Sequence, residues 1–170
     1  MKLLRPRRSP TGDGLGLSPP QLRAWVAYRR VQVRMNYEIN RQLQRNHGLS
    51  LADYHVLNAL SHAPGHKLQV KDLAAVIGWE RSRLSHQLGR MHDRGLTERI
   101  QSADDGRASD AVLTNKGMLV MSEATPGHAM LVKKLFFESL PDELVVRFTE
   151  ALEYIQASID LDASLPPVSL

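Results

Sequence analysis

Residues 70–113 read VKDLAAVIGWERSRLSHQLGRMHDRGLTERIQSADDGRASDAVL, and the periods within them run helix, tight turn, helix, hairpin. Val70, Leu73, Ala74 and Ile77 recur three and four apart, which is one face of a short helix. Gly78 follows where a helix needs a left-handed residue to stop. Trp79 and Glu80 lead into a second helix with the inward row Leu84, Leu88 and Met91, ended by Gly95. Ala74, four residues before Gly78, lets the two helices cross closely as a helix-turn-helix.

The face opposite that apolar row decides the functional reading. Ser82, Arg83, Ser85, His86, Gln87, Gly89 and Arg90 are expected to project from it, with Arg81 at the helix start. It holds three arginines, and no acid lies between Arg81 and His92. An ordinary solvated helix face mixes signs, and this one does not until Asp93. Arginine bonds guanine bidentately, Ser and Gln reach base edges or phosphates, and a helix N-terminus favours a phosphate. Arg81, Ser82, Arg83, Ser85, His86, Gln87 and Arg90 are therefore candidate DNA contacts, aimed into the major groove as helix-turn-helix docking requires.

The segment that follows has the form of a wing. Leu96–Gln101 alternates apolar with polar, Asp105-Gly106 is a hairpin-tip dipeptide, and Ser109–Leu113 returns as a strand. Arg107, beside the tip, is a candidate for the minor groove, where negative potential attracts a guanidinium. Asp105 is placed to orient it, the alternative being a surface ion bridge of little energetic weight.

Arg94-Gly-Leu96, Asp105-Gly-Arg107 and Leu113-Thr-Asn-Lys-Gly117 together resemble the signature of MarR-type winged-helix regulators, a likeness that extends over about residues 17–159. The resemblance implies a bacterial dimeric repressor or activator, repression with release by a small aromatic or phenolic effector being the expected mode. It also implies that Ser82, Arg83, Ser85 and His86 fall where the family contacts bases, and Arg107 where it probes the minor groove. That position frequently carries Arg where this chain has His86, so no base preference carries over.

Composition sets the outer bounds. The 170 residues suit one domain with helical extensions, and 42% apolar content is enough for a core. The 22 Lys and Arg against 18 Asp and Glu leave a net charge of +4. Lys2, Arg5, Arg7 and Arg8 alone carry four positives with no acid among them, so residues 9–170 are neutral overall. Bulk charge is thus weak support for nucleic acid, and the clustering over Arg81–Arg90 carries it instead. Cysteine is absent, which excludes a thiol sensor, a disulfide scaffold and a thiolate metal site. No apolar run follows the basic start, so no signal peptide or membrane span is expected, and the location is expected to be cytoplasmic.

Along the chain, residues 1–17 form an expected flexible basic tail, interrupted by Pro6, Pro10, Gly12, Gly14 and Gly16. Residues 18–162 are expected to be a single domain. Within it, 48–113 is the winged-helix part, and 18–47 and 114–162 are dimerisation helices. Residues 163–170, with Pro166-Pro167, are a loose end. The fold class is mainly α with a small β-hairpin wing. Ser18 caps a helix from Pro19 to about Asn46 whose apolar residues spread over a face wide enough for two neighbours. Leu49-Ser50-Leu-Ala-Asp53-Tyr54 has the form of a capping box with a staple, opening a helix to about Ser61. Residues 62–66 are a turn, and Lys67–Gln69 a first short strand. Thr114 caps a long helix that Pro126-Gly127 is expected to kink or break. Leu144, Phe148, Leu152, Ile155 and Ile159 stripe the last helix, which opens at Pro141. Apolar surfaces this broad suit a two-fold homodimer presenting paired recognition helices about 10 base pairs apart on a near-palindrome.

Other chemistries find less support. His62 and His66 are four apart across a Pro-Gly turn, not on one helix face, and the seven histidines show no metal-ligand spacing. No metal and no cofactor are expected. Phosphate loop, nucleophile elbow and paired carboxylates are all missing, so an enzyme is not expected. The resemblance places effectors between the DNA-reading unit and the dimer helices. There Trp25, Tyr28, Arg29, Tyr37, Tyr54 and His55 are candidate ligand contacts, the alternative being that these aromatics are plain core and dimer contact. Two functions remain in view: a sequence-specific, ligand-responsive DNA-binding homodimer, and a winged-helix protein-interaction module without specific DNA binding.

Overall fold

A computed structural model describes residues 16–102 and 108–162 of the chain. The sequence periods translate into six helices, a 3-10 turn, a π turn and three strands among these residues. Helix α1 (Pro19–His47) starts at Ser18 with a reciprocal cap, Ser18 N donating to Gln21 Oε1 at 2.8 Å and Ser18 Oγ accepting from Gln21 N at 3.5 Å. Prolines 19 and 20 fill the first turn, where no amide partner is required.

The chain divides into two units inside α1, Met1–Tyr37 and Glu38–Leu170. In the first, Trp25, Tyr28, Val31, Val33 and Tyr37 are all exposed, with the Trp25 and Tyr28 rings 5.6 Å apart. The second holds the core.

There α1 ends at Gly48, whose φ of +64° lets Leu49 N fold back onto Leu43 O at 3.3 Å. Leu43 and Leu49 are fully buried by this closure. Helix α2 (Leu51–His62) opens with the expected capping box: Ser50 Oγ accepts from Asp53 N at 3.0 Å, and Asp53 Oδ2 accepts from Ser50 N at 2.8 Å. Its Val56, Leu57 and Leu60 are fully buried. They meet Leu73 of α3 (Val70–Val76) and Leu84, Leu88 and Met91 of α4 (Arg81–Asp93), also fully buried. Of the rows that the spacing assigned to the interior of α3 and α4, all but Ile77, half-buried at the end of α3, are buried.

Strands β1 (Lys67–Gln69), β2 (Thr97–Gln101) and β3 (Ser109–Leu113) form an antiparallel sheet in the order β1-β3-β2, with Leu68 opposite Ala111 and Thr97 opposite Leu113. The fold is therefore mainly α with a small wing sheet, a winged helix. The alternation expected of β2 does not appear in its burial. Leu96 and Thr97 are buried, whereas Ile100 is 45% exposed, because this edge strand runs out past the helices that cover its start.

Thr114 caps α5 (Asn115–Val132), its Oγ1 accepting from Gly117 N at 2.9 Å. Gly117 is required by space: a Cβ there would collide with the carbonyl of Leu96 and come within 2.7 Å of Leu113 Cδ1. Of the kink or break expected at Pro126-Gly127, a break does not occur: α5 runs through both residues. Local propensity yields here to packing. Met121 and Ala124 are buried just before the proline. A Cβ on Gly127 would stand 2.8 Å from Gln42 Nε2, so the end of the Gln42 side chain of α1 reaches this stretch of helix. The irregularity comes later, as a π turn over Lys133–Phe137. Helix α6 (Asp142–Asp162) follows, and its stripe of Leu144, Phe148, Leu152, Ile155 and Ile159 is 38–55% exposed in the single chain.

Candidate nucleic-acid interface

The turn between α3 and α4 sets the site. Gly78 (φ +65°) stops α3, Gly78 N bonding Ala75 O at 3.1 Å and Trp79 N bonding Ala74 O at 2.8 Å. This pattern of returning amides satisfies the last carbonyls of α3 and delivers the chain to α4. With Leu84, Leu88 and Met91 fully inward, Arg81, Ser82, Arg83, His86, Gly89 and Arg90 stand exposed and Ser85 is half-buried.

Gln87 departs from the expected face. It is 3% exposed, and its Nε2 donates to Asp53 Oδ1 at 2.6 Å. The spacing holds the reason: Gln87 is three residues after Leu84 and four before Met91, on the inward stripe. Its residue type suggested a surface role, and its partner, 34 positions away, is invisible in a local reading. The amide also accepts from Arg90 Nη2, drawing one surface arginine back toward the helix.

Asp53 is the hub of this arrangement. Besides Ser50 and Gln87, its carboxylate accepts from Arg94 Nη1 at 2.8 Å, and Arg94 Nη2 also donates to Gly48 O at 2.7 Å. One buried acid thus joins the start of α2, the middle of α4 and the residue after α4. The signature residues explain each other in the same way. Thr114 Oγ1 bonds Gly95 O at 2.8 Å, Lys116 Nζ bonds Arg94 O at 2.7 Å, and Gly117 abuts Leu96. Arg94-Gly-Leu96 and Leu113–Gly117 are two sides of a single joint that fixes α4 and the wing root against α5.

Between α4 and the wing lies a groove of about 330 Å³ whose lining includes Lys71, Arg81, Ser85, Arg99 and Ser109. Arg99 Nη2 bonds Ser109 Oγ at 3.0 Å across the β2–β3 pair. Sequence reading passed over Lys71 and Arg99. Lone cations on a short helix and an edge strand carry no signal until the fold sets them beside Arg81. Arg107 and Asp105 lie outside the described residues.

The candidate ligand contacts fall in both units. In the first, Arg29 Nη1 donates to Gln32 Oε1 at 3.3 Å, and Gln32 Nε2 donates to Tyr28 Oη at 3.3 Å, next to Trp25. In the second, the Tyr54 ring is 4.5 Å from that of His128, and burial raises its pKa while a hydrogen bond with Thr125 acts the other way. His55 lies 6.4 Å from the Trp79 ring, and its pKa is lowered by burial and then by the charges of Arg83 and His128. His128 is lowered by burial, and its Nδ1 is buried with no hydrogen-bond partner among the described residues. His62 and His66 each spend Nδ1 on a backbone carbonyl, of Asn58 and Ser61. Among the described residues, no three His, Cys, Asp or Glu gather as for a metal.

A helix-turn-helix with a buried core, backed by a strand pair, defines a winged-helix protein whose second helix exposes a donor-rich face. A family model described as MarR family matches residues 47–108. AbsC, a MarR family transcriptional regulator from Streptomyces coelicolor, is 31% identical over 84% of this chain and 96% of its own, with a TM-score of 0.78. Sco3205, a MarR family transcriptional regulator from the same organism solved in complex with DNA, is 28% identical over 91% of this chain and 97% of its own, with a TM-score of 0.82. CouR from Rhodococcus jostii RHA1, solved bound to p-coumaroyl-CoA, is 23% identical over 78% of this chain and 90% of its own; at a TM-score of 0.66 it shares the fold alone. The curated proteins include no match. The chain belongs to the MarR family of transcriptional regulators.

Proposed function

We propose that the chain is a sequence-specific DNA-binding regulator that acts as a homodimer on a near-palindromic operator, as a repressor released by a small aromatic or phenolic effector. The observation that carries DNA binding is the α4 surface. Arg81, Ser82, Arg83, His86 and Arg90 are exposed without an intervening acid, on a helix whose other side is fully buried. Sco3205, built on the same fold over nearly the whole chain, is a DNA complex, which supports the same use here. In this reading Arg83 and His86 meet base edges, with Ser82 and Ser85 beside them. Lys71, Arg81, Arg90 and Arg99 meet phosphates, and Arg107, oriented by Asp105, enters the minor groove. Gln87 acts from inside, holding α4 to Asp53.

The homodimer is supported by the apolar residues left in water on α6, a stripe that a second copy can cover. Repression and release rest on family membership and on the aromatic clusters around Tyr28 and around Tyr54, whose rings suit a flat ligand.

A gel shift with the DNA flanking its own gene tests the central reading. Binding to a discrete repeat is the expected result, while equal weak binding to every fragment would favour the protein-interaction module. Arg83→Ala should flatten base preference at one position of each half-site, by about 5- to 150-fold. Arg107→Ala should weaken binding to all sequences alike, and if both variants bind like the parent the roles are misassigned. Addition of aromatic acids to the shifted complex tests release.

A further inference from the structure

Trp79 lies in the turn between α3 and α4, half-buried, four residues before Arg83. Arg83 Cζ stands 4.1 Å from the centroid of its ring. At that distance the guanidinium rests on the indole face, the geometry of a cation–π pair. On α2, the His55 ring lies 6.4 Å from the indole, inclined by 60°. The indole thus lies between α2, where His55 meets it at a tilt, and the exposed face of α4, where Arg83 stacks on it. The Trp79 end is anchored, since its amide is tied to Ala74 O at 2.8 Å and Gly78 fixes the turn before it.

A guanidinium carries all five N–H donors in its own plane, so stacking engages its face and leaves the donor edge available. A free arginine must give up rotamer freedom when it meets a base, and a stacked one has given up part of it beforehand. We propose that Trp79 is a positioning residue for DNA reading, holding the Arg83 guanidinium on its indole so that the fork meets its base pair already aligned. The inference rests on the DNA-binding function above and adds a specificity determinant that itself touches no base.

The test has an arm without DNA and an arm with it. In the free protein, an indole under the guanidinium shifts the Arg83 Nε–H proton upfield by its ring current. That shift should persist in Trp79→Phe and vanish in Trp79→Leu, which keeps apolar bulk without a π face. A coil-like Arg83 resonance in the unsubstituted protein overturns the proposal.

The DNA arm uses the repeat footprinted upstream of the chain's own gene, with each base pair of the half-site replaced in turn. Trp79→Leu should bind the intact repeat about two- to fivefold more weakly, the size of an exposed cation–π contribution. Its discrimination should fall at the base pair that Arg83→Ala identifies and stay intact elsewhere. In an Arg83→Ala background the same change should add nothing. A loss spread evenly over all base pairs, or equally large without Arg83, makes Trp79 a merely structural residue and overturns the proposal. If Trp79→Leu does not fold, Trp79→Met, which also keeps apolar bulk without a π face, carries the same cycle, and no step in that variant also overturns it. Should the unsubstituted protein bind no duplex, the DNA reading itself falls, and the Arg83 resonance still reports whether the stack exists.

Discussion

Asp53 accepts hydrogen bonds from Ser50, Gln87 and Arg94 while only 2% exposed. Removing such an acid strands the donors of all three residues organised around it. Breaking a buried ion pair costs about 3–5 kcal/mol, and Arg94, 40% exposed, softens that figure by rehydrating. Asp53→Ala should therefore lower unfolding free energy by roughly 2–3 kcal/mol in a denaturant titration. DNA affinity should fall further than stability accounts for, because α4 loses its tether to α2. A variant as stable as the parent would show that the hub is dispensable. The sequence displayed Ser50 and Asp53 as a capping box and Arg94 as part of a signature. It gave no hint that the three converge, because Arg94 is 41 positions from Asp53.

At the scale of elements, two helices carry the tests. The α6 stripe leaves Leu152 43% and Phe148 38% exposed in the single chain. If a second copy covers it, Leu152→Glu buries an unpaired charge at the contact, and sedimentation should show monomers that no longer shift DNA. An unchanged mass and melting temperature would place the interface elsewhere. Helices α2 and α5 contribute His55 and His128, both with pKa values lowered by burial. A lowered folded pKa means that, as pH falls through the ordinary value near 6.5, the unfolded chain takes up the proton first. Stability is then present above about 6.5 and is lost as pH falls toward the folded values. Melting temperature should drop between pH 7 and 5, and His128→Asn should shrink that drop; an identical profile in the variant would rule His128 out as a source. Pro126 shows the limit of element-level reading from sequence. The proline predicts a kink or a break, yet α5 does not break, and Met121 and Ala124 are buried just before it.

For the whole molecule, net charge says little and placement says much. Residues 9–170 are neutral overall, yet Lys71, Arg81 and Arg99 line one groove beside the exposed arginines of α4. Operator binding should fall steeply as salt rises, with the logarithmic slope reduced by about one for each phosphate-facing cation removed. Arg99→Ala is the informative variant, since a slope equal to the parent's would take the groove out of the interface. The sequence by itself determined the helices, the turn at Gly78, the sheet strands and the sign of the α4 face. Each of these depends on periods, caps and residue types within a few positions of one another. Tertiary structure alone decided that Gln87 turns inward, that α5 survives its proline, that Gly117 must lack a side chain, and that the Trp79 ring beneath Arg83 also lies near His55 of α2. Those outcomes hang on neighbours far away in the chain, or on space that only a packed core defines.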